Sequence, residues 1–95
     1  MKISRQDEAK LPAFDSHENA REYFKDKYGD NFVMADSKII GNDKIYFYHL
    51  ILDSQRYFDG FNKLREDSII VDSLDFMNSY QTVELFEDGR IHVIH

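Results

Sequence analysis

The sequence predicts an α+β domain in which two helices pack on one face of a mainly antiparallel sheet, in the order α-β-β-α-β-β-β. Three observations carry this prediction. Two segments repeat apolar residues at helical spacing, and each opens on an Asp-Ser capping signal. Runs rich in Ile, Val, Phe and Tyr are separated by Gly41-Asn42-Asp43 and Glu87-Asp88-Gly89. Turns that short make hairpins, so neighbouring strands run antiparallel.

Residues 1–13 are polar, keep no consistent period and end beside the only proline, Pro12. They read as an N-terminal arm, partly mobile, with 14–95 as a single domain. Asp15 or Ser16 then caps a helix over about 16–28, and Asp15 with Glu18 matches a capping box. Ala20, Tyr23, Phe24, Lys27 and Tyr28 share one face of it, and Gly29 is placed to end it.

Phe32–Ile40 reads as a strand interrupted by Asp36-Ser37-Lys38, and Lys44–Leu52 is the strongest strand of the chain. Alternation sends Ile45, Phe47, His49 and Ile51 to one face and Tyr46, Tyr48, Leu50 and Leu52 to the other. Such a strand is central and covered twice, or covered once with its second face closed by another copy. Asp53-Ser54 caps a second helix, about 54–65, carrying Tyr57, Phe58, Phe61 and Leu64 on one face. Gly60 inside it costs about 1 kcal/mol against alanine. Ile69-Ile70-Val71 reads as a short strand, whereas 73–80 fits helix, loop or strand alike.

The C-terminal hairpin has a definite register. A two-residue Asp88-Gly89 turn would set Leu85 opposite His92, mixing polar and apolar groups. A three-residue loop with Gly89 in a left-handed position pairs Phe86 with Arg90, Leu85 with Ile91 and Val83 with Val93. That choice gives one apolar face and puts Glu84 opposite His92, and a buried face selects its register. Phe24, Phe47, Phe58 and Phe61 are expected in the core, with Tyr46, Tyr48 and Tyr80 nearer a partly exposed surface.

Ninety-five residues make one domain with no room for a large cleft. Charged residues at 32% and a mean hydropathy of −0.58 exclude a membrane-spanning helix. The first eight residues lack the apolar run of a secretory signal and there is no cysteine, so a cytoplasmic location is expected. The net charge of −6 is concentrated in residues 66–95, where Arg90 stands against seven carboxylates. An acidic surface repels phosphate backbones and steers basic partners, so direct nucleic-acid binding is not expected.

No residue pattern supports catalysis, a cofactor or a metal. The glycines are too scattered for a phosphate loop. A metal site would need His49 and His92 on neighbouring strands, since His92 and His95 face opposite ways. Asp72, Asp75 and Asn78 miss the calcium-loop spacing. Glu84 beside His92 has the form of a general-base dyad but reads as a surface cross-strand pair. The expectation is therefore a non-catalytic interaction module. It uses an acidic face of Asp72, Asp75, Glu84, Glu87 and Asp88 to bind a protein with a basic surface. Homodimerisation through a sheet edge or the Tyr46/Tyr48 face is a further expectation. The alternative is a small-molecule or minor enzymatic pocket between sheet and helices, using His49 or His92.

Overall fold

The structure, a computed structural model, describes residues 2–67 and 76–95. In these residues the chain runs α1 (Arg5–Ala9), α2 (His17–Tyr28), β1 (Phe32–Ile40), β2 (Asp43–Ile51), α3 (Ser54–Asp67), β3 (Tyr80–Phe86) and β4 (Ile91–Val93). The four strands form one sheet in the order β1-β2-β3-β4, each neighbour antiparallel. The expected strand at Ile69–Val71 and residues 73–75 of the undecided stretch lie outside the described residues, while 76–79 form a short helical turn that leads into β3 at Tyr80.

Local chemistry places these elements. Ser16 caps α2 by accepting from the Asn19 N–H at 3.2 Å, and Gly29 ends the helix at φ 61°. The cap is therefore Ser16 and not Asp15. Asp53 caps α3, its carboxylate accepting from the Arg56 N–H at 3.1 Å. Strand β1 absorbs its polar interruption with a bulge between Met34 and Asp36 and pairs with β2 to the Ile40–Asp43 end. The β3–β4 hairpin has the three-residue loop, with Val83 opposite Val93, Glu84 opposite His92 and Leu85 opposite Ile91. The Phe86 N–H donates to the Arg90 carbonyl at 3.0 Å, and Gly89 takes φ 91°.

The N-terminal arm is a packed element. Ser4 and Asp7 form a capping box that opens α1. Ile3 is buried, and the side chain of Gln81 fastens it by accepting from its N–H at 2.8 Å and donating to its carbonyl at 2.9 Å. Ile3 therefore joins the core of the domain, with Leu11 packed partly against it, because one amide on β3 satisfies both backbone groups of Ile3.

Helices cover both faces of the sheet, not one. Ala20 and Phe24 of α2 close one face over Phe32, Tyr48, Leu50, Val83, Leu85 and Val93. On the other face, Tyr57 of α3 packs with Ile51 and Phe76, flanked by Val33 and Tyr80. The physical reason is the double apolar alternation of β2, which needs a cover on each side. Tyr48 is correspondingly fully buried rather than at a partly exposed surface. Phe58, expected in the core, is 54% exposed, and Phe47 is half-buried. The side chain of Phe61 is outside the description. Gly60 has a packing reason, since a methyl group there would overlap the Phe76 ring.

Gly89 ties the hairpin to the start of α2. A Cβ at this position would collide with the Phe14 carbonyl, on a backbone already in the left-handed region. Gly89→Ala is expected to cost about 2–4 kcal/mol, combining backbone strain with displacement of the segment before α2. Urea unfolding measures this, and a loss below about 0.5 kcal/mol would show that the contact is not needed.

Candidate functional site

Antiparallel pairing of β2 with β3 brings the β1–β2 turn and the β3–β4 loop to one end of the sheet, with Ile45 opposite Phe86. Arg90 organises that end. Its Nε donates to Asp88 Oδ2 at 2.7 Å, and a terminal nitrogen reaches Asp43 Oδ2 at 3.4 Å. Its guanidinium lies 4.5 Å from the centre of the Phe86 ring. Asp88 also accepts from the Arg90 N–H at 3.0 Å, and this bond is the main reason its carboxyl ionises below the usual range. Glu87 accepts a hydrogen bond from the Tyr46 hydroxyl, and its carbonyl accepts from the His17 N–H at 3.3 Å. The turn thus holds its carboxylates in place while Asp43, Asp88 and Arg90 stay more than half exposed.

Among the sequence-derived site residues, the fold brings Glu87 and Asp88 together. Glu84 projects from the face of Phe47 and His49, where its Oε1 lies 3.2 Å from His92 Nδ1. Asp72 and Asp75 lie outside the described residues. Asp43 completes the acidic turn through a cross-hairpin pairing that no motif in the sequence announces.

Two histidine–tyrosine clusters sit on the two faces. On the α2 face, His17 Nε2 lies 2.8 Å from the Tyr48 hydroxyl, and its ring stacks on Tyr46 at 3.6 Å. On the α3 face, His49 Nδ1 lies 2.8 Å from the Tyr57 hydroxyl, and its ring stacks on Tyr80 at 3.9 Å. Burial lowers the pKa of both imidazoles, that of His49 to about 4. Burial likewise pushes the Tyr57 phenol up to about 12. Each imidazole is neutral at pH 7, covered on a face by one tyrosine and hydrogen-bonded to another. The sequence signal for His17 is its position three and seven residues before Ala20 and Phe24, on the apolar stripe of α2.

His49 and His92 do not form a chelating pair, because β3 lies between their strands. Among the described residues no group of three His, Asp or Glu is placed to hold a metal ion. One groove, about 320 Å³, runs between the N-terminal segment and the hairpin, against Leu11, Pro12, Phe14, Arg90 and Ile91. A second, about 390 Å³, lies against Lys2, Leu52, Met77, Tyr80 and His95. Neither takes His49 or His92 into its wall.

No protein-family model, curated protein or solved structure matches the chain.

Proposed function

We propose that the chain is a non-catalytic protein–protein interaction module that docks a basic surface of a partner on its acidic β3–β4 turn. The observation that supports this reading is the exposed Asp88–Arg90–Asp43 arrangement beside Glu87. It presents Glu87 and Asp88 on a braced loop and Asp43 at the start of β2, with Arg90 bridging Asp88 and Asp43. A partner's lysine or arginine competes with Arg90 for Asp43 and Asp88, and bracing lowers the ordering cost of that exchange. Glu84, Asp72 and Asp75 add to the negative charge that steers a basic partner, Glu84 from the face opposite Glu87. Among the described residues no helix is long and apolar enough to cross a membrane. A cytoplasmic site of action is part of the proposal and rests on the cysteine-free composition.

The immobilised protein should capture a basic protein from lysate of its native host and release it at moderate salt. Glu87→Lys with Asp88→Lys should weaken that capture at least about tenfold. Capture indifferent to both salt and the double substitution would exclude the acidic turn as the docking surface, as would no capture at all.

A further inference from the structure

The two edges of the sheet are treated differently. Strand β4 spans three residues, and its edge is closed by the N-terminal segment: Glu8 Oε2 accepts from the Val93 N–H at 3.0 Å. Glu8 Oε1 also lies 2.8 Å from His95 Nε2, and these contacts hold the Glu8 carboxyl below its usual pKa. Strand β1 is nine residues long, and every residue from Met34 to Ile40 is exposed. Among the described residues no strand pairs with its outer side. It displays Ile39 at 74%, Ile40 at 58% and Met34 at 50% exposure. An open edge of this length carrying apolar side chains is a template for another strand.

The sequence of β1 specifies which strand fits. Past the bulge, residues 36–40 alternate regularly, so Asp36 and Lys38 share one face and Ser37 points to the other. When β1 meets an antiparallel copy of itself about Ser37, Asp36 falls opposite Lys38 of the second copy, and Lys38 opposite Asp36. Centring the two-fold on Lys38 or on Asp36 would instead set like charges face to face. Centring it on Ile39 would leave both ion pairs unmade. The Ser37 register also puts Ile39 beside Ala35 of the second copy, where the bulge ends regular pairing. In the single chain, the Asp36 carboxylate accepts from the Ser37 N–H at 2.8 Å, so a side chain holds this edge amide. Pairing transfers that carboxylate to a lysine and offers the amide to a backbone carbonyl.

We infer that β1 is a self-recognition edge, and that two copies join antiparallel about Ser37 into a continuous eight-stranded sheet. This gives a specific form to the expected homodimer. It uses the outer side of β1, and none of Asp36, Ser37 or Lys38 belongs to the acidic turn, so variants of the two surfaces test them separately.

Because the chain has no cysteine, Ser37→Cys supplies a single probe on the proposed two-fold axis. Directly opposed Cα atoms in an antiparallel pair lie about 4.5–5.5 Å apart, within disulfide reach. Mild oxidation should crosslink Ser37→Cys, while Ile39→Cys should not crosslink, its two copies being about 13 Å apart along the strand. Sedimentation of the reduced proteins tests the charges. Asp36→Lys alone should weaken dimerisation at least about fivefold, and Asp36→Lys with Lys38→Asp should restore it. These positions are exposed, so far-UV circular dichroism should match the parent in every variant. A parent chain monomeric at about 1 mM overturns the inference. Preferential crosslinking of Ile39→Cys overturns the register, and a double variant no better than the single overturns the charge pairing.

Discussion

Phe32→Ala is expected to remove about 3–5 kcal/mol of stability, a large part of the 5–15 kcal/mol typical of a domain this size. Phe32 is fully buried at the start of β1. Its ring stacks between Phe24 of α2, at 5.0 Å, and Tyr48 of β2, at 4.6 Å. Removing it opens a cavity between helix and sheet and breaks two aromatic contacts together, and neither neighbour can fill a space of that size by changing rotamer. The midpoint of thermal unfolding should fall by roughly 4–8 °C per kcal/mol lost. Phe58→Ala is the control, because Phe58 is 54% exposed and should lose less than about 1 kcal/mol. Equal losses in the two variants would show that the stack does not anchor the core.

The second large effect is on pH. In the folded protein His49 has its pKa lowered from 6.5 to about 4 by burial, and burial lowers that of His17 as well. In the unfolded chain each imidazole takes its proton near the ordinary value. As pH falls, the unfolded state therefore binds protons first, and the folded state loses relative stability. The contribution of His49 is complete above about pH 6.5, is lost progressively as pH falls toward 4, and changes no further below that. Its size is on the order of 3 kcal/mol, with His17 adding in the same direction. Glu8 and Asp88, whose folded pKa values are depressed, lose their contributions lower, as pH falls through the carboxylate range. Urea midpoints between about pH 7.5 and 4 should fall steeply for the parent and less steeply for His49→Gln. Parallel profiles for the two proteins would rule out His49 as the main acid-sensitive group.

Helix α2 was legible in the sequence because Ala20, Phe24 and Tyr28 keep a helical period between a serine cap and a terminal glycine. Helix α1 had a signal in Ser4 and Asp7, but five residues are too few for periodicity to register. The acidic site was legible only in part. Net charge along the chain located the excess, yet charge counts carry no direction. They could not show that Glu84 and Glu87 project from opposite faces or that Asp43 joins Asp88 through Arg90.

The sequence by itself determined the register of the C-terminal hairpin, the extent of α2 and the double apolar character of β2, because each depends on neighbours a few residues away. Only the tertiary structure decided that α2 and α3 take opposite faces. It also decided that Gln81 fastens the buried Ile3, and that, among the described residues, one sheet edge is closed by Glu8 while no strand pairs with the other. The physical reason is common to all three. An apolar stripe or a free backbone amide states that a surface must be satisfied, whereas its partner, here as many as 85 positions away in the Glu8–Val93 bond, is chosen by how the whole chain packs.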